Sequence, residues 1–264
     1  MDKEMLFFDI DGTLVSNMSP QIPGSALQAI EKARQNGHYT FINTGRTRCF
    51  ARQFIRPELP FDGYLCACGC TIIFHGKTLL QRSYTPEEGK RLTALMKQYR
   101  IEAFLEGSED IYCTRAPYRQ EHLNKAKHMF ARLGFCQNRF MEDMDFSFDK
   151  FIFFSDGQDD VRGFMKALAD EITFIDRGRG MYECIPKGFS KVSGMQYMSD
   201  YLGIPLSRSA AFGDSSNDCQ MLAAAGRGIA MGRHDKVLEQ YAAYITDTVE
   251  NDGIAKALRY AGFI

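Results

Sequence analysis

Two aspartates two positions apart, Asp9 and Asp11, follow an apolar run at residues 5–8 and precede Gly12-Thr13. Side chains at i and i+2 of a strand share a face, so a strand running through Ile10 aims both carboxylates off its own end. Two like charges so placed are costly to keep ionised without a cation or a proton between them. The expected chemistry is metal binding, acid–base transfer, or both. A turn or helix-capping pair is the plainer alternative, since Asp suits both.

Three further clusters weigh against that alternative. They are Thr44-Gly45-Arg46, Ser190-Lys191, and Gly213-Asp214-Ser215-Ser216-Asn217-Asp218. Asp9 and Asp214 are hard oxygen donors of the kind Mg²⁺ takes, alongside water and substrate phosphate. Thr44 and the Gly45 N–H can donate to phosphate oxygens, Lys191 adds a compact positive charge, and Asn217 has an amide to donate. Phosphoryl transfer asks for little beyond positioning, neutralised charge and an in-line nucleophile. Taken singly, each cluster is ordinary. Lys191 reads as a solvated lysine, Thr44-Gly45 as a turn, and Asp214 with Asp218 as a helix cap and its first-turn partner.

The elements that must hold these clusters alternate at both ends of the chain. Residues 5–10 read as a buried strand, and Ala26, Leu27, Ile30 and Ala33 recur at helical spacing between Pro23 and Gly37. Residues 38–43 and 63–68 read as strands, and a hairpin is expected at His75-Gly76-Lys77. After residue 186 a helix at 192–202, strands at 209–212, 229–231 and 244–246, and a last helix after Gly253 resume the alternation. The middle differs: strands near 102–105, 111–114, 151–154, 172–175 and 181–185 mix with helices near 85–99, 118–133 and 161–168. This predicts an α/β domain with a parallel sheet, made of residues 1–82 and 186–264 and interrupted by an α+β domain at 83–185. Ligands of open α/β sheets bind beyond the carboxyl ends of the strands, so clusters distant in sequence would converge there.

The 264 residues carry 32 Lys and Arg against 33 Asp and Glu, a net charge of −1. That balance offers no argument for a nucleic-acid or membrane partner. No apolar stretch nears the roughly 20 residues of a membrane span, and no signal-like segment is expected at the N-terminus, so the expected location is cytoplasmic. Eight cysteines in such a chain do not make a disulfide scaffold and read as small buried residues. Cys66, Cys68 and Cys70 alternate along the expected third strand. They lack the paired spacing of zinc knuckles, so core residues are favoured over a metal site.

The four clusters in this order, with an insert between the second and third, resemble the haloacid dehalogenase (HAD) superfamily of phosphatases. The form Gly213-Asp214-x-x-Asn217-Asp218 and the size of the insert are similar to the Cof-type branch with a large α+β cap of the C2B type. The resemblance spans the whole chain. It implies a Rossmann-like parallel-sheet core, an inserted cap, and Mg²⁺-dependent hydrolysis of phosphoric monoesters through an aspartyl-phosphate. It implies that Asp9 is the nucleophile and that Asp11 protonates the leaving alcohol and then deprotonates water. The metal would be held by the Asp9 carboxylate, the Asp11 backbone carbonyl and Asp214, with Asp218 in support. Thr44, Gly45, Lys191 and Asn217 would hold the phosphate, with Gly12 and Thr13 shaping the turn around it.

The implied substrate is a small phosphorylated metabolite, a sugar phosphate or similar monoester, chosen by the cap. Arg115, Tyr118, Arg119, His122 and the turn at 177–180 are polar groups that could contribute there. Two alternatives are a phosphosugar mutase, which needs a second phosphate patch in the cap, and a non-catalytic phosphometabolite-binding protein, which needs no nucleophile–acid pair. Two departures from the family pattern stand out. Val192-Ser193 follows Lys191 where many relatives have Gly or Ala, and Cys68-Gly69 stands where relatives often carry Asn-Gly.

Overall fold

The computed structural model describes residues 3–16 and 18–264. The chain opens with β1 (Met5–Phe8), α1 (Gly24–Gln35), β2 (Tyr39–Asn43), α2 (Arg48–Ala51), β3 (Gly63–Cys66), β4 (Thr71–Phe74) and β5 (Lys77–Gln81). It continues with α3 (Pro86–Gln98), β6 (Glu102–Glu106), β7 (Ile111–Tyr112), α4 (Glu121–Arg132), β8 (Lys150–Phe154), α5 (Val161–Ala167), β9 (Ile172–Asp176) and β10 (Met181–Pro186). It ends with α6 (Lys191–Leu202), β11 (Ser209–Gly213), α7 (Cys219–Ala224), β12 (Arg227–Ala230), β13 (Tyr244–Ile245) and α8 (Gly253–Tyr260). Two compact units result: Met1–Gly45 with Arg52–Leu80 and Ser190–Ile264, and Arg46–Ala51 with Gln81–Phe189.

The first unit is an α/β Rossmann-like core. Its eight-stranded sheet runs β13-β12-β11-β1-β2-β3-β4-β5, parallel from β13 to β3 and antiparallel at β3–β4. The chain winds from β1 outward to β2 and β3, then returns to lay β11 on the other side of β1. The strand order therefore reverses beside β1, where open sheets leave a crevice. All four residues of β1 are buried, as a strand covered on both faces requires. Phe7, Phe41 and Leu65 meet Met195 and Met198 of α6 and Met221 of α7, and each such buried side chain contributes about 1.5–3 kcal/mol.

The second unit is α+β. Its sheet has the order β7-β6-β8-β10-β9, antiparallel throughout. Leu92 and Met96 of α3 and Phe164 of α5 pack with Leu105, Phe151 and Phe153. Phe104 and Phe154 alternate to the other face, where they meet Phe130 of α4 and its neighbours. Among the described residues, no helix is long and apolar enough to cross a membrane.

Four sequence expectations change. β1 ends at Phe8, so Asp9 and Asp11 lie on the turn beyond it; the N–H groups of Leu14 and Val15 return to the Ile10 carbonyl at 2.9 Å each. β3 ends at Cys66, because Ala67 and Cys68 take the left-handed conformation and bend the chain into a 3₁₀ turn. Cys66, Cys68 and Cys70 are all buried thiols, no longer alternating along one strand. Residues 46–51, read as part of the first region, belong with the second unit, since Cys49 and Phe50 pack among Phe130, Phe135 and Cys136. Finally, Cys113 and Cys136 form a disulfide with Cα atoms 5.7 Å apart, where the expectation was free thiols. Residues 23 positions apart meet only through the fold, and no spacing rule anticipates that pairing.

Candidate active site

The three central strands of the first sheet each end in one of the expected clusters. Asp9 follows β1, Thr44 and Gly45 follow β2, and Asp214 follows β11. The parallel register aligns Phe8 with both Ile42 and Phe212, so the three carboxyl ends lie level. The Asp9 N–H continues the ladder to the Phe212 carbonyl at 3.0 Å, and the Thr44 N–H donates to Leu65 at 2.8 Å.

Lys191 comes from the first turn of α6. Ser190 caps that helix, accepting from the Ser193 N–H at 3.0 Å while Ser193 Oγ accepts from the Ser190 N–H at 2.9 Å. Gly69 allows the helix start to come close: its φ is +85°, and a Cβ there would lie 2.7 Å from the Ser190 carbonyl oxygen. Cys68-Gly69 therefore serves here as a backbone seat for the helix start that carries Lys191. Lys191 is buried, and its Nζ donates to Asp9 Oδ1 and to Asp218 Oδ1 at 2.6 Å each. Burial works against this ammonium, but Asp218 and Asp9 more than offset it and hold its pKa well above the ordinary lysine range.

The loop after β11 is arranged from within by Asp218, whose Oδ2 accepts from the N–H groups of Asp214 at 3.1 Å and Ser215 at 3.2 Å. Asp9, Asp214 and Asp218 each bring one carboxylate oxygen within 4.8 Å of the others. Burial pushes Asp9 up to about 7; Lys191 opposes this, while Asp218 and, less strongly, Asp11 add to it. Burial also pushes Asp214 up to about 8, with Asp9 and Asp218 adding their repulsion. Asp214 Oδ1 is buried with no hydrogen-bond partner. Gly12 (φ +79°) lies so close that a Cβ would be 2.1 Å from Asp214 Oδ2. Three carboxylates against one ammonium, with an unpartnered oxygen among them, suit a small hard cation that would lift the repulsion.

The structure thus joins Asp9, Asp214, Asp218 and Lys191 by direct contact and sets Thr44 and Gly45 on the adjacent strand end. Asn217 is half-buried in the same loop, its Oδ1 accepting from Ser215 Oγ. Asp9 and Asp11 differ sharply: Asp9 is buried and Asp11 is exposed. Of the polar residues expected to contribute in the inserted region, Arg115 pairs with Asp143, Arg119 lies 3.5 Å from Glu102, and Arg177 pairs with Glu183. The Tyr118 hydroxyl donates to the Ala103 carbonyl at 2.9 Å. These residues hold the second unit's own fold together.

Two neighbours of the site went unnoticed in the sequence. Asn43, fully buried at the end of β2, donates from Nδ2 to the Lys191 carbonyl at 3.1 Å. Its place directly before Thr44-Gly45 was the available signal. Asp235 accepts from the Ser216 N–H at 2.8 Å, and its own N–H donates to the Asp214 carbonyl at 2.7 Å. It lies 21 positions beyond Asp214 in a polar stretch that reads as solvated turn.

A buried carboxylate set on a lysine at the reversal point of a Rossmann-like sheet defines a class of phosphoryl-handling enzyme, and comparison with known proteins agrees. The sequence model of the haloacid dehalogenase-like hydrolases matches residues 6–258, and the chain belongs to that family. It is 28% identical to the 5-amino-6-(5-phospho-D-ribitylamino)uracil phosphatase YitU of Bacillus subtilis, over 97% of this chain and 96% of that one. It is 24% identical to the pyridoxal phosphate phosphatase YbhA of Escherichia coli, over 97% of each. The solved sugar phosphatase BT4131, of HAD subclass IIB, superposes with a TM-score of 0.79 at 25% identity, over 99% of this chain and all of that one. The chain is accordingly a phosphatase of the Cof-type branch.

Proposed function

We propose that the chain hydrolyses a phosphoric monoester of a small metabolite, a sugar phosphate or a similar polyol phosphate, through a phosphoryl group carried on Asp9 with Mg²⁺ as cofactor. The observation that carries this reading is the inequality of the two aspartates. Asp9 is buried with one oxygen held by Lys191, which orients its other oxygen for attack. Asp11 is exposed on the turn, where it can exchange protons with a leaving alcohol and then with water. Asp9 attacks phosphorus, the bond to the leaving oxygen breaks, and Asp11 supplies that oxygen's proton. Asp11 then takes a proton from the water that attacks the phosphoryl group, releasing phosphate and restoring Asp9.

Asp9, Asp214 and the Asp11 backbone carbonyl would hold Mg²⁺, with Asp218 supporting from its bonds to Lys191 and the loop. When bound, the ion supplies charge neutralisation for the phosphoryl oxygens. Thr44, Gly45, Lys191 and Asn217 are the proposed phosphate donors, and residues 83–185 the proposed selector of the organic part. Relatives named for a phosphoribityl compound and for sugar phosphates support a polyol-like monoester. Against the mutase alternative, Arg115, Arg119 and Arg177 are engaged by carboxylates, which leaves the exposed Arg179 of the candidate patch.

The test is Asp9→Asn assayed for Mg²⁺-dependent phosphate release from an aryl phosphate. We expect a fall of at least about 10⁴-fold, the scale seen when a nucleophile is removed. Release at the wild-type rate would overturn the mechanism, and isomerisation of a hexose phosphate without net release would overturn hydrolysis.

A further inference from the structure

Asp235 stands at the N-cap of a 3₁₀ turn, Lys236–Gln240, and makes no side-chain bond to that turn. An Asp at an N-cap ordinarily accepts from the N–H two or three residues on. Here the carboxylate is turned instead toward the loop after β11. Its Oδ2 accepts from the Ser216 N–H at 2.8 Å, and the Asp235 N–H donates to the Asp214 carbonyl at 2.7 Å.

Asp218 takes the N–H groups of Asp214 and Ser215, and its own N–H returns to the Ser215 carbonyl at 2.8 Å. Asp235 takes the next N–H, that of Ser216, and supplies the donor for the Asp214 carbonyl. Two carboxylates thus fix one short loop from opposite sides: Asp218 from the buried side, tied to Lys191, and Asp235 from the exposed side. Asp235 arrives there because β12 lies parallel to β11 and the Met231 N–H extends that pairing to the Gly213 carbonyl at 3.0 Å.

We infer that Asp235 is a positioning residue for the cation site: by clamping the Asp214 carbonyl and the Ser216 N–H it fixes the direction of the Asp214 carboxylate. The inference rests on the cation reading given above and adds a residue to it. The outer partners that orient metal ligands typically cost about 10–100-fold in metal affinity when removed. Asp235 is exposed, so its truncation leaves no cavity.

The experiment is thermal unfolding of the full chain across a Mg²⁺ titration, without substrate, for the wild type, Asp235→Ala, Asp235→Asn and Asp214→Asn. A cation at free concentration c that binds the folded state stabilises it by RT ln(1 + c/Kd), so Tm climbs with Mg²⁺ concentration once Kd is passed. Asp235→Ala is expected to need at least about 10-fold more Mg²⁺ for the same rise, with its metal-free Tm near that of the wild type. Asp235→Asn keeps an acceptor for the Ser216 N–H and is expected to stay within about threefold, since the charge it loses is solvent-screened. Asp214→Asn should abolish the rise. A wild-type titration curve for Asp235→Ala, or equal weakening by Ala and Asn, overturns the positioning role while leaving the cation site standing. A wild type that does not respond to Mg²⁺ at all overturns both.

Discussion

Among the described residues two lysines are buried between carboxylates, one in each unit, with different electrostatic outcomes. In the second unit Lys150 Nζ lies 2.6 Å from Glu183 and 3.3 Å from Glu106, and Arg177 pairs with the other oxygen of Glu183. Two cations face two anions. Burial works against ionised Glu183, but Lys150 and Arg177 win and hold its carboxyl down at about 2; at Glu106 burial wins despite Lys150 and pushes the carboxyl up. In the first unit Lys191 holds Asp9 and Asp218 equally closely, yet Asp214 makes a third carboxylate, and Asp9 and Asp214 are pushed up to about 7 and about 8. A balanced buried network fixes strands to one another. A network with surplus negative charge has a use for a cation that the chain does not itself supply.

The strongest challenge to this contrast is Lys191→Met. If Lys191 orients Asp9 and meets phosphate, phosphate release should fall by roughly 10³-fold, the upper range for losing one fixed charge-stabilising donor. Activity within tenfold of wild type would reduce Lys191 to a structural cation like its counterpart. Lys150→Met should do the reverse. It strands Glu183 and Glu106 with one cation fewer, a loss of about 3–5 kcal/mol in stability, read as a fall in the urea midpoint, while the folded fraction still turns over aryl phosphate. A stable but inactive Lys150→Met would erase the distinction between the two networks.

The smallest effect is in pH. Glu183 is depressed from 4.5 to about 2, so its contribution to stability is complete above the unfolded value near 4.5 and disappears as pH falls through 2. The depression amounts to about 3 kcal/mol at 1.36 kcal/mol per pKa unit. Unfolding curves between pH 6 and 2 should therefore steepen toward acid in the wild type and flatten in Glu183→Gln. Identical acid limbs would mean that Glu183 ionises equally in both states.

How legible each network was in the sequence follows the same contrast. Asp9, Asp214 and Asp218 were readable because they follow strand ends, where an α/β sheet must place its ligands, and Lys191 because it opens a helix of the same unit. The unequal exposure of Asp9 and Asp11 was not, since a period-two reading needs the strand to continue, and it stops at Phe8. Asp235 was invisible because its partners are backbone groups brought near by the parallel pairing of β11 and β12, and Asn43 had only its place before Thr44-Gly45 to mark it, since its partners come from α6 and α7. Glu106 ends β6, Lys150 opens β8, and Glu183 lies within β10. Nothing local in the sequence indicates that three strands would bring them together. The Cys113–Cys136 link depends likewise on where the second unit's helix α4 comes to rest.

Gly12 has a consequence for how this chain can change over generations. A side chain there is barred twice, by a φ of +79° and by Asp214 Oδ2 standing where a Cβ would go. Most crowded positions can be relieved by shrinking the neighbour. Here the neighbour is a carboxylate of the proposed cation site, so the compensating change would remove a proposed ligand. Position 12 is held at glycine for as long as position 214 keeps its carboxylate.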